Sequence, residues 1–168
     1  MTITLAWVPP QKGFIKLNTD GVLKPYIHTQ GIGGVFHDFA GNLIIGFAGE
    51  VNNANIPLQT KALALLRGLQ LAIAHYLTSL QINIDVKEVL QHIQNTSNSP
   101  MLIFYDCRHL LNHLKDPSFA HVYGEQNAVT EKMAHFGSSM NGGSIRIFNQ
   151  PPIFVMDLLE AGQRGVTK

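Results

Sequence analysis

Three carboxylates stand where elements predicted from the sequence begin or end. Asp20 closes a strand in FIKLNTDG (residues 14–21), Asp85 sits where LQINID runs into a helix, and Glu131 lies near the start of NAVTEKMAHFG. In α/β sheets ligands gather outside strand ends, and carboxylates converging there would make an oxygen-donor site for a hard cation such as Mg²⁺. Each acid also has a plain structural use: Asp20 precedes a turn glycine, Asp85 can cap a helix, and Glu131 can complement a helix dipole. Lys61 is out of keeping with its place. It falls in the first turn of a helix beginning PLQTKALALLRGL, where exposed N–H groups favour Asp or Glu. Counting on, Leu65, Leu69, Ala72 and Tyr76 fall near its face, so the ammonium heads an apolar stripe. A cation there needs a reason.

Other groupings carry less chemistry. RHLLNH puts His109 and His113 at i, i+4, a metal-like interval with no third ligand beside it, and reads as two solvated or partly packed histidines. GIGG (31–34) lacks the Lys-Ser/Thr of a P-loop and the following helix, and reads as glycine that lets a backbone or ligand come close. Cys107 has no thiolate-activating surroundings and reads as a small buried hydrophobe. No G-x-S-x-G marks serine chemistry.

Periodicity predicts the elements that position these groups. Residues 14–21 alternate, with Ile15, Leu17 and Thr19 on one side and Lys16, Asn18 and Asp20 on the other. GIGGVFHDF and NLIIGFAGE flank a tight AGN turn, which completes an antiparallel meander. A long helix follows with Pro57 at its entry. Next come the strand LQINID, a helix VKEVLQHIQN stopped by NTSNSP, and a helix MLIFYDCRHLLNHLK closed by DP. The strand SFAHVY and a helix ended by Gly137 complete the pattern. The tail NGGSIRIFNQPPIFVMDLLEAGQRG reads as irregular apart from a turn at 156–160. The order β-β-β-α-β-α-α-β-α predicts one mixed sheet with helices against it.

At 168 residues and 45% hydrophobic, the chain suits one domain over 1–168, with a core at about 7–140 and a C-terminal extension at 141–168. A formal net charge of +1 excludes the field of a strongly basic nucleic-acid binder and leaves room only for a local patch, with Lys16, Lys24 and Arg108 as candidates. The single cysteine rules out an internal disulfide and favours a reducing compartment. MTITLAWVPP lacks the charge and apolar run of a signal peptide. Arg67, Gln70 and His75 break the longest apolar stretch, so no membrane span is expected.

WVPPQKGFIKLNTDG with GIGGVFHDFAGNLIIGFAG resembles the opening of the plant reverse-transcriptase-like RNase H domains, relatives of retroelement ribonucleases. The likeness continues through KALALLRGLQLA, INIDVKEVLQHI, HVYGEQNAVTEKMAHFG and FNQPPIFVMDLL, covering about residues 7–160. It implies the RNase H-like α/β fold, a five-stranded mixed sheet with three antiparallel then two parallel strands, flanked by helices. It also implies descent from nucleases that cut the RNA strand of RNA–DNA hybrids, in which four carboxylates hold two Mg²⁺ ions that activate water and stabilise the leaving oxygen. Asp20 matches the Asp of the family's NxDG, Asp85 the Asp of DS, and Glu131 the Asp of NxxAD. Lys61 takes the place of the Glu in AExxAL. His121 matches an assisting histidine ten residues before the fourth acid, and Gly124 stands where hvyRExN has arginine.

On this resemblance Lys61 should face Asp20 and Asp85. Two unit charges about 4 Å apart interact by about 4 kcal/mol at an effective dielectric near 20. Ammonium for carboxylate reverses that attraction and doubles it against a divalent ion, so the second metal should be lost. Glu131 shifts its carboxylate by a methylene, and Gly124 removes a phosphate-contacting charge. The expected protein is a catalytically impaired RNase H-like domain with a vestigial site of Asp20, Asp85, Glu131 and His121. It keeps weak binding of RNA–DNA hybrid or other nucleic acid through a glycine-rich strand edge and a shallow cleft. No cofactor is expected beyond weak Mg²⁺ or Mn²⁺ on Asp20, Asp85 and Glu131, and the location is nuclear or cytoplasmic. Two alternatives stand beside it. One is an active Mg-dependent endoribonuclease with a single metal on those three acids; the other is a domesticated regulatory module with a protein partner, which the near-neutral charge favours.

Overall fold

Strand β1 (Ile15–Lys24) pairs antiparallel with β2 (Thr29–His37), and β2 with β3 (Leu43–Glu50), as alternation and the AGN turn predict. Strand β1 runs on past Gly21 because its pairing with β2 continues to Lys24, so Asp20 lies within the strand and does not close it. The register sets Lys16 opposite His37, Asn18 opposite Val35, and Asp20 opposite Gly33. The β2–β3 turn is tied by the Asp38 carboxylate, which accepts from the amides of Ala40 and Asn42 at 3.0 and 2.9 Å. Gly41 takes the left-handed φ of 83° that this turn requires. The computed structural model describes residues 8–24, 29–52, 56–94, 101–140 and 143–166, apart from the side chains of 125 and 162–166. Trp7 and the NTSNSP breaker lie outside the described residues.

Helix α1 (Pro57–Ala74) opens on proline and leads into β4 (Leu80–Ile84), which runs parallel to β1. Then follow α2 (Lys87–Gln94), α3 (Leu102–Leu111) and β5 (Ser118–His121), parallel to β4. A 3-10 turn at Gly124–Asn127 precedes α4 (Ala128–Ser138), β6 (Ile145–Phe148) and α5 (Met156–Val166). The sheet order is β5-β4-β1-β2-β3-β6.

The sheet therefore has six strands where the resemblance implies five, and residues 143–166 of the tail, predicted to be irregular, carry a strand and a helix. IRIF is too short to show a period of its own. It becomes β6 because β3 offers an open edge, joining Gly46 to Phe148 and Gly49 to Ile145. The 156–160 turn is the start of α5, whose Leu159 is buried with Val155 and Met133.

The two faces of the sheet are built differently. Under α1, α2 and α3 lies an aliphatic and aromatic core containing Leu17, Phe36, Phe47, Leu65, Ile82 and Phe104. Each such side chain contributes about 1.5–3 kcal/mol by leaving water. On the other face α4 lies backbone to backbone on the strands. A Cβ on Gly31 would stand 2.2 Å from the Ala134 carbonyl oxygen, and one on Gly33 2.5 Å from the Ala134 nitrogen. GIGG is thus the seat of a helix. The expected glycine-rich strand edge for hybrid binding is corrected: β2 is interior to the sheet, α4 covers Gly31 and Gly33, and Gly34 makes room for the Phe47 ring on the opposite face. Among the described residues no helix is long and apolar enough to cross a membrane.

Candidate functional site

The alternation of β1 puts Asp20 on the same face as Lys16 and Asn18, and its carboxylate is only 5% exposed. That carboxylate accepts from the Gly21 amide at 2.8 Å. Gly21 sets the distance to the next element: a Cβ there would come within 2.6 Å of the Thr60 carbonyl carbon and 2.8 Å of the Lys61 nitrogen. The missing side chain lets the start of α1 press onto the end of β1. Asp85 directly follows β4, whose parallel register with β1, Asn18 beside Asn83, brings the end of β4 level with Asp20.

Lys61 closes the group. Its Nζ makes a close ion pair with Asp20 Oδ1 and lies 3.9 Å from Asp85 Oδ1. Lys61 is the fifth residue of α1, one turn in from Pro57 and so past the first turn where the sequence placed it. That first turn has no acidic residue and the N-cap, Ile56, makes no side-chain cap, so nothing in the helix entry offsets the ammonium. The two aspartates supply the compensating charge. Burial raises the Asp20 carboxyl above its ordinary value, and the Asp85 charge pushes the same way; Lys61 and the Gly21 amide oppose them.

His121 stands opposite Ile84 in the β4–β5 register, with Nε2 3.2 Å from the backbone oxygen of Asp85. Its ring meets Tyr123 edge to face at 5.6 Å. The structure thus brings Asp20, Lys61 and Asp85 together, with His121 held against the Asp85 backbone. Glu131 is placed differently: it is 53% exposed, and its carboxylate lies 3.7 Å from His135 Nε2, one turn further along α4. A divalent ion set between Asp20 and Asp85 would meet the ammonium, so the donor set present does not suit the two-ion arrangement implied by the resemblance.

Two residues that the sequence reading did not single out frame the site. Asn18 donates to Asn127 Oδ1 at 3.1 Å, and Asn127 Nδ2 donates to the Thr19 carbonyl at 3.2 Å. Both are buried, and together they peg the start of α4 to β1 beside Asp20. The available signal was Asn18 sharing the Asp20 face. Of the candidate phosphate contacts, Lys16 is buried with Nζ donating to the Val8 carbonyl, which withdraws it from ligands. Arg108 donates to the His92 carbonyl at 3.3 Å. His109 and His113 meet edge to face at 5.2 Å on the exposed side of α3. Cys107 is fully buried, and burial pushes its thiol up to about 12.

Known proteins share this architecture. The Halobacterium salinarum RNase H1 superposes with a TM-score of 0.67 at 18% identity, covering 74% of this chain and 97% of that one. LC11-RNase H1, isolated from compost and solved with an RNA/DNA hybrid, gives 0.65 at 19% identity over 74% of this chain and 96% of its own. The protease-reverse transcriptase of prototype foamy virus gives 0.64 at 16% identity, over 84% of this chain and 23% of that one. Likeness at these identities establishes the RNase H-like fold. In sequence, an Arabidopsis thaliana protein provisionally named a ribonuclease H protein is 25% identical over 167 residues, 98% of this chain. The chain spans 27% of that relative's length. Residues 18–137, from the buried Asn18 almost to the end of α4, match the family described as Reverse transcriptase-like, and the chain belongs to that family.

Proposed function

We propose that this RNase H-like domain binds RNA–DNA hybrid or a similar duplex weakly and does not cleave it. The observation that carries the reading is the Lys61 ammonium seated on Asp20 and beside Asp85. Hydrolysis of a phosphodiester in such a site depends on divalent ions held by carboxylates. Here the two aspartates that would hold such an ion already share a cation. The retained binding is supported by the fold, since a neighbour of the same architecture was solved with a hybrid. Recognition would read backbone and 2′-hydroxyls rather than base sequence. A net charge of +1 implies few phosphate contacts, hence a shallow slope of about −2 to −3 in log affinity against log salt.

The test is a cleavage and binding assay on labelled hybrid in Mg²⁺. Wild-type protein should bind weakly and leave the RNA strand intact, while Lys61→Glu should raise both metal affinity and cutting. Turnover by the unmodified protein that Asp20→Asn abolishes would overturn the reading in favour of an active ribonuclease. No binding to hybrid, DNA duplex or single strand at low salt would remove the nucleic-acid role and put a protein partner in its place.

A further inference from the structure

Lys61 is more than an obstruction. Its ammonium has three N–H donors; one is taken by Asp20, Asp85 Oδ1 at 3.9 Å lies beyond hydrogen-bond range, and the side chain is 22% exposed. Donor capacity therefore remains on the open side of the cluster. Two aspartates and one lysine sum formally to −1, whereas a carboxylate at position 61 would make three negative charges. An approaching phosphodiester would then be repelled unless divalent ions were present. The ammonium also adds a charged tie among three pieces of chain that strand pairing and packing already bring close: β1 at Asp20, the start of α1, and the residue after β4.

We infer that Lys61 is a resident cation: it holds the Asp20–Asp85 pair in place of a divalent ion and offers a phosphate contact, so fold and duplex binding are both independent of metal. The binding half rests on the function proposed above; the stability half stands without it. Mg²⁺ has no vacancy to fill in the wild-type cluster, and a charge-reversed cluster acquires one.

The experiment pairs thermal unfolding with anisotropy of a labelled RNA–DNA hybrid, each in EDTA and in millimolar Mg²⁺ at matched ionic strength. The wild-type melting temperature should be the same in both buffers, and its affinity should agree within about twofold. Lys61→Glu should melt lower in EDTA and recover in Mg²⁺. Loss of one charged hydrogen bond predicts hybrid binding about tenfold weaker for this variant in EDTA, with Mg²⁺ restoring it. Lys61→Arg should keep the wild-type pattern. Should Lys61→Glu fail to fold, Lys61→Gln should show the same Mg²⁺-dependent gain in melting temperature. A wild-type protein that is stabilised by Mg²⁺, or that loses hybrid in EDTA, would overturn the inference. If no protein binds hybrid in either buffer, the proposed function and the phosphate contact both fail. The melts then decide the structural half: variants without any Mg²⁺-dependent gain overturn it as well.

Discussion

At the Asp20 end of β1 a lysine arrives from another element and finds two carboxylates; at the Lys16 end the strand buries its own lysine against His37 and a backbone carbonyl. The same face of one strand thus treats buried cations in two ways. Where carboxylates face the ammonium, charge is balanced by charge, and a polarised site survives at the surface of the fold. At the other end desolvation governs. It lowers Lys16 to about 8, and it drives His37 to about 4, with Lys16 adding to that fall and Asp38 opposing it. The paired end is equipped to meet a ligand. The other end is reserved for packing, and it favours the uncharged forms of its groups.

Acid should separate the two ends first. The unfolded chain protonates His37 at its ordinary value of 6.5, while the folded protein resists until about 4. Its contribution is full above pH 6.5 and is lost as pH falls to 4, a change of about 3 kcal/mol. Urea midpoints across that window should fall for wild type and flatten for His37→Leu; equal slopes would refute the assignment. The same substitution at the two lysines should then give opposite signs. Lys61→Met leaves Asp20 and Asp85 facing each other. Removing one partner of a fully buried pair costs about 3–5 kcal/mol, discounted here to about 2 because Lys61 is 22% exposed. Lys16→Met keeps the packed stem and removes a desolvated charge, so stability at pH 7 should rise by about 1 kcal/mol. Urea melts that show both variants destabilised alike would collapse the contrast. The smallest effect belongs to Glu131→Gln, which breaks an exposed i, i+4 pair worth less than about 0.5 kcal/mol. A clear loss of stability or of hybrid affinity there would show that Glu131 does more than pair with His135.

Lys61 was legible in the sequence because it breaks a rule of helix electrostatics at a named turn, and the family motif said what it faces. The β1–β3 meander was legible because alternation and tight turns are local signals. The exposure of Glu131 and its nearness to His135 were not legible, since a motif match gives a position in the chain and not what the carboxylate meets. Four-residue β6 was hidden because only the open edge of β3 specifies it. The role of GIGG depended on strand order: the same glycines at an edge would face solvent, and between β1 and β3 they carry a helix. Asn127 was missed because its partner lies far away in the chain.

That distance bears on how the domain assembles. The hydrogen bond between Asn18 and Asn127 spans 109 residues, while β1, β2 and β3 pair with the strand next to them in the chain. Loop closure over such a span is slow to be rewarded, so the meander and α1 should form early and α4 should settle onto its glycine seat late. Asn127→Ala should then speed unfolding with little change in the refolding rate, which stopped-flow chevron arms would read directly. The peg beside the ion cluster thus acts as a latch on the lifetime of the native state.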